Sequence, residues 1–246
     1  MSETNWSRAD LHVHSAHSDG AHDIPTILGH VAEHTDIRVL AITDHDCIKG
    51  ALEAQRLAPA FGLKIVVGEE VTTKQGHLLA LFISQHIPAG LSIVETVARV
   101  HAQGGVAILA HPFERMCNSP MRHWPHPTLE DWASFGLDGL EALNGCQFGK
   151  AANPRAAALS NKLGLALTGG SDAHYTGAIG VAHTLFRGTT DHDLRLALEN
   201  RTCVPAGRRW NVREYMGWIT CSLIPQVFLP LGALPLNPDI ARFPIV

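Results

Sequence analysis

The chain has 246 residues, 46% of them hydrophobic, enough to bury one large α/β core and too apolar for a disordered segment. A net charge of −4 with histidine neutral gives no global field for a stable nucleic-acid partner or an anionic membrane, so an anionic ligand must be captured locally. The 16 histidines are the compositional excess, and they point to nitrogen ligands for a divalent metal.

Residues 1–10 are polar and lack the basic-then-apolar pattern of a secretory signal, which places the expected location in the cytoplasm. The first strand-like run ends in His12-Val13-His14. Asp23 then caps a helix with Pro25 in its first turn and an apolar stripe at Ile24, Ile27, Leu28 and Val31. Val39 to Thr43 reads as a strand covered on both faces that delivers Asp44 and His45, and Lys64 to Gly68 does the same for Glu69 and Glu70. Leu78 to Ile83 is the next strand, with His77 at its beginning. The helical stripe Ile93, Val94, Val97, Val100 follows and stops at Gly104-Gly105. Val106 to Ala110 leads into His111, and Leu140 to Leu143 is a further strand. A helix from Pro154 to Leu163 closes at Gly164, and Leu165 to Thr168 precedes Gly169-Gly170-Ser171-Asp172. Thr190 or Asp191 caps a last helix reaching Asn200. Alternating strands and helices predict a parallel sheet, and about seven strands suit a closed barrel better than the alternative, an open doubly wound sheet.

From Gly217 to Pro238 the chain carries no charge, but Pro225, Pro230 and Pro235 break it, against a continuous membrane helix. This tail is expected to wrap the barrel or cover an oligomer contact; the oligomeric state is not set by the sequence. Cys47, Cys117, Cys146, Cys203 and Cys221 are odd in number and widely spaced, which argues against a disulfide framework and a zinc ribbon.

Residues two apart on a strand share a face, so His12 and His14 can hold one cation together, as can Asp172 and His174. Asp19, in a loop with Gly20, can fold a carboxylate over the strand ends. Of Glu69 and Glu70 only one faces the interior, where a bridging carboxylate would hold two metals roughly 3.5–4 Å apart. Asp44 can orient a ligand or handle a proton. Arg115, four residues past His111, is the best-placed cation for an anionic ligand, ahead of Arg155 and Arg187. His123, Trp124 and His126 form a Pro-rich loop, and Asn144 either terminates a strand or meets substrate.

The runs Asp10-Leu11-His12-Val13-His14-Ser15, Ser18-Asp19-Gly20, Ile42-Thr43-Asp44-His45-Asp46, Gly68-Glu69-Glu70, Gly76-His77, Ala110-His111-Pro112 and Gly170-Ser171-Asp172-Ala173-His174 resemble, in order, the motifs of the polymerase and histidinol phosphatase (PHP) family. The resemblance covers residues 9–207 and leaves 208–246 as a separate tail. It implies a distorted (β/α)7 TIM-like barrel holding two or three divalent ions (Zn, Mn or Fe) at the carboxyl ends of the strands. Carried over position by position, the ligands are His12, His14, Asp19, His45, Glu70, His77, His111, Asp172 and His174, with Asp44 and Arg115 as catalytic candidates. The closest likeness within the family is to stand-alone phosphoesterases acting on a small phosphorylated metabolite or nucleotide. Bound metal lowers the pKa of water from about 15.7 toward roughly 7, so a hydroxide attacks phosphorus with no protein nucleophile. Two other functions compete: an amidohydrolase-type C–N hydrolase, which commonly uses a bridging modified lysine where this chain has Glu70, and a non-catalytic metal-binding accessory module, which would show lost ligands.

Overall fold

The computed structural model describes residues 6–114, 128–147 and 150–223. One sheet contains β1 (Trp6–Asp10), β2 (Ile37–Ile42), β3 (Lys64–Thr72), β4 (His77–Leu81), β5 (Val106–Leu109), β6 (Gly139–Asn144), β7 (Ala166–Gly170), β8 (Ala182–Arg187) and β9 (Val204–Gly207). Their order is β7-β6-β5-β4-β3-β2-β1-β8-β9. The seven strands β1 to β7 curl until the chain beyond β1 meets the chain beyond β7. There Val13 and Ala173 form a parallel bridge, with His14 N–H donating to Ala173 O (2.9 Å) and Ala173 N–H to His12 O (3.3 Å). The result is a nearly closed barrel-shaped sheet within a mixed α/β fold, as expected.

The helices are α1 (Ile24–His34), α2 (Lys49–Leu57), α3 (Ile93–Ala102), α4 (Leu129–Ser134), α5 (Ala152–Leu163), α6 (Asp191–Glu199) and α7 (Val212–Trp218). Asp23 caps α1 by accepting from Thr26 N–H, and Thr190 rather than Asp191 caps α6, in a reciprocal box with Asp193. The unbroken apolar run of β2 divides by pleat: Val39 and Ala41 join the cluster of Leu79, Leu81, Ile108 and Phe186, whereas Leu40 and Ile42 pack with Ile24, Ile27 and Leu28 of α1. Leu194, Ala197 and Leu198 of α6 belong to the first cluster, together with Val66, Val106 and Ala166 near the starts of their strands. That end of the barrel is therefore sealed with apolar side chains, and polar residues gather at the other.

The sheet is not wholly parallel. β4 runs antiparallel to both β3 and β5, and β8 and β9 add antiparallel pairs. The β3–β4 connection is a tight loop over residues 73–76, where Thr73 Oγ1 receives Gly76 N–H (3.1 Å), and no crossover helix intervenes. β3 also runs beyond Gly68, pairing with β2 over its first half and with β4 over its second, so Glu69 and Glu70 lie inside a strand. Helices α2, α4 and α7 and the strands β8 and β9 are absent from the sequence-based reading. Trp210 is buried in the core and α7 follows it, so the packed body extends at least to Trp218; most of the apolar tail, residues 224–246, lies outside the described residues, as do Cys117, His123, Trp124 and His126.

Candidate metal centre

Glu70 is the hub. Its strand places it, 1% exposed, at the rim where β1, β2, β5 and β7 end. Its Oε2 lies 3.1 Å from His12 Nε2, 3.3 Å from His14 Nε2 and 3.2 Å from His45 Nδ1. Its Oε1 lies 2.9 Å from His77 Nδ1 and 3.0 Å from His111 Nε2. Glu69, one residue earlier on the pleat, faces away and accepts from Ile87 N–H (2.6 Å) while meeting His86 Nδ1 (2.8 Å). His77 reaches the same rim from the start of its strand because β4 is antiparallel: its first residue lies level with its neighbours' last.

A second carboxylate, Asp172, places Oδ1 3.4 Å from His12 Nε2 and 3.3 Å from His14 Nε2. The third, Asp19, lies 3.5 Å from His14 Nδ1 and 3.2 Å from His174 Nε2, with His45 Nε2 at 3.8 Å. All nine residues expected as ligands are thus gathered. They form four overlapping donor groups, each within 4.8 Å: His14, Asp19, His45, His174; His12, His14, Glu70; His12, His111, Asp172; and His45, Glu70, His77.

The buried atoms His12 Nε2, His14 Nδ1, His14 Nε2 and His77 Nδ1 have no hydrogen-bond partner despite these short separations. Imidazole nitrogens this close to carboxylate oxygens without hydrogen-bonding to them keep lone pairs that a cation could take. Divalent cations fit that donor set, since each orphaned lone pair would otherwise cost its full desolvation. The backbone is bent to achieve this: His111 and Asp172, neither of them glycine, have φ of 27° and 53°. Gly170 is required for packing, because a Cβ there would stand 2.6 Å from His12 Cβ and 2.7 Å from Glu141 Oε1.

Electrostatics follow the same geometry. Burial opposes ionisation of Glu70, but His77, His12 and His45 outweigh it and hold the carboxyl well below its usual range. Burial and the neighbouring His174 and His45 push His14 down, toward the neutral imidazole that ligates metals. His174 is raised to about 9, burial being overridden by Asp19.

Sequence reasoning missed Glu141. Its Oε1 lies 3.0 Å from His12 Nδ1 and its Oε2 accepts from His111 N–H and from Asn144 Nδ2, both at 2.9 Å. This fixes His12 with Nε2 inward, the arrangement of an outer carboxylate behind a metal-binding histidine. The available signal was a lone carboxylate within an apolar strand. Asn144 also donates to Asp172 Oδ2 (3.1 Å), so it orients a cluster residue. Asp10 accepts from Ser171 N–H (2.9 Å), Gly180 N–H (2.8 Å) and His12 N–H (3.3 Å), and burial pushes its carboxyl up to about 6.

Asp44 is not brought into the cluster. It accepts from Ser15 N–H, Ser15 Oγ and Ser18 Oγ, each at 2.7 Å, and so ties down the loop that carries Asp19. Arg115 lies outside the described residues. Arg155 stacks on Phe113 (4.4 Å), and Arg187 stacks on Trp6 (5.4 Å) at the far end of the barrel. Cys47, Cys203 and Cys221 are free thiols. No helix among the described residues is long and apolar enough to cross a membrane.

In sequence the PHP domain model matches residues 10–163 and the PHP-associated model residues 150–203, and the chain belongs to the PHP domain family. An uncharacterized protein of Methanocaldococcus jannaschii is 37% identical over 149 residues, 56% of this chain and 81% of that protein. The 3',5'-nucleoside bisphosphate phosphatase of Chromobacterium violaceum is 37% identical over 84 residues, 32% of this chain and 29% of that enzyme. Among solved structures, a two-domain Bacteroides vulgatus protein containing a predicted PHP-like metal-dependent phosphoesterase superposes with a TM-score of 0.70 at 20% identity. That match covers 83% of this chain and 65% of that one, and it supports the fold alone.

Proposed function

We propose that the chain is a metal-dependent phosphoesterase that hydrolyses a small phosphorylated metabolite or nucleotide. The observation that carries this reading is the gathering of nine nitrogen- and oxygen-bearing side chains, Glu70 and Asp172 among them, into four overlapping groups, with several of their atoms buried and unpartnered. His12, His14, Asp19, His45, Glu70, His77, His111, Asp172 and His174 would hold two or three divalent ions, with zinc, manganese and iron all suited to imidazole plus carboxylate. Such ions supply positive charge against the phosphoryl oxygens and acidify solvent at the same point.

The remaining residues set geometry. Glu141 fixes the His12 ring, Asn144 fixes Asp172, and Asp44 positions Asp19 through Ser18. Asp44 therefore acts as a positioning residue, and Arg115 is the proposed partner of the substrate phosphate. The carboxylate at position 70 favours this reading over a C–N hydrolase, and the complete donor set favours it over an accessory module. Turnover of phosphomonoesters, nucleotides and cyclic phosphodiesters by metal-analysed protein tests the proposal. Hydrolysis of at least one class is expected; zero turnover with zinc, manganese and iron alike would favour the accessory module.

A further inference from the structure

The cluster opens on one side. Asp19 and His45 have side chains 41% and 30% exposed, and His174 and His77 retain 12% and 13%, while His12, His14, Glu70 and His111 are at 3% or less. Among the described residues, Asp19 and His45 are thus the most open part of the cluster, and Asp19 lies against both His45 and His174. Beside that opening stands Trp218, whose indole meets the His174 ring edge-on at 6.2 Å.

Trp218 is held there by a strap of chain, residues 208–218, that crosses from β9 to the mouth. Trp210 packs against Trp218 (6.3 Å) and donates from Nε1 to Ser171 O (3.0 Å), next to Asp172. Tyr215 packs on Trp210 (5.4 Å) and donates to Cys146 O (3.0 Å). Gly217 lies so close to Tyr175 that a Cβ there would meet its ring at 2.5 Å. At the strap's start Arg208 grips Glu214 with two bonds of 2.9 and 2.8 Å. An aromatic surface fixed in this way loses little entropy when it receives a flat ligand. The loop the strap rests on also carries Gln147, 2% exposed, whose amide nitrogen and oxygen both lack hydrogen-bond partners.

We infer that Trp218 is a stacking platform at the mouth of the metal centre, and that the phosphoester bound there carries a planar nucleobase. The inference rests on the phosphoesterase reading and narrows its substrate class to nucleotides. Trp218 is only partly buried, and an indole face can stack on any base whatever its hydrogen-bonding pattern, so a base stacked there would lie beside His174 of the metal centre. A sugar phosphate without a base leaves that face unused.

The test compares AMP with ribose 5-phosphate in wild type, Trp218→Ala and Trp218→Phe. Wild type is expected to favour AMP in kcat/KM, and Trp218→Ala to reduce that preference about tenfold through KM for AMP, with Phe restoring most of it. Equilibrium binding of AMP to metal-loaded protein, followed by calorimetry, supplies a readout independent of turnover and should weaken by a similar factor in Trp218→Ala. An unchanged AMP to ribose 5-phosphate ratio in Trp218→Ala, or equal AMP affinity in wild type and variant, overturns the platform. If neither compound turns over but AMP binds in a Trp218-dependent manner, the platform stands and the phosphoesterase reading falls.

Discussion

Glu70 receives five imidazoles within 3.3 Å, and no other side chain among the described residues has that reach. Glu70→Gln keeps the shape and removes the charge that opposes the cations. Loss of a direct ligand should exceed the 10- to 100-fold effect typical of outer-shell partners, so hydrolysis should fall by more than about a hundredfold, with reduced metal in elemental analysis. Asp10→Asn tests a different role. An amide cannot accept from all three backbone donors, and the orphaned N–H should cost about 1–3 kcal/mol in denaturant unfolding. At this scale the sequence was most informative, because His-x-His and Asp-x-His spacing states on its face which side chains share a side of a strand. Glu141 escaped because a lone carboxylate within an apolar strand signals burial but names no partner; its meaning comes from His12, which is 129 residues away.

Elements with strong local signals were legible: α1 by Asp23 and its stripe, α3 by Val97, Val100 and the closing glycines, α6 by Thr190. Helix α2 was not, since it has no side-chain N-cap and buries only Gly50, Ala51 and Ala54, residues too small to mark an apolar face. The direction of β4 was hidden too, because strand sense depends on partners and not on composition. The strap bearing α7 makes a pH prediction at this scale. The Arg208 hydrogen bonds draw Glu214 down to about 2 from an ordinary 4.5. A depressed carboxyl stabilises the fold above its unfolded pKa, and that contribution disappears as pH falls through the folded value. Glu214→Gln should therefore be less stable than wild type at neutral pH, with the gap in denaturation midpoint closing between pH 4.5 and 2. A gap that persists unchanged to pH 2 would contradict this assignment.

For the molecule as a whole, the barrel divides its labour by ends: apolar side chains and α6 seal one, while donors crowd the other. Cations bound only by the folded chain stabilise it by about 2.7 kcal/mol at a hundred times Kd, so chelation should lower the thermal midpoint by roughly 5–10 °C, with recovery on adding metal back. An unchanged midpoint would mean that the cluster holds nothing. The most direct test of the central claim is metal content and phosphoester turnover measured on one preparation each of wild type and His12→Ala/His14→Ala. Bound divalent metal with hydrolysis in wild type and loss of both in the variant is the predicted result. A variant keeping full metal and full activity would contradict it.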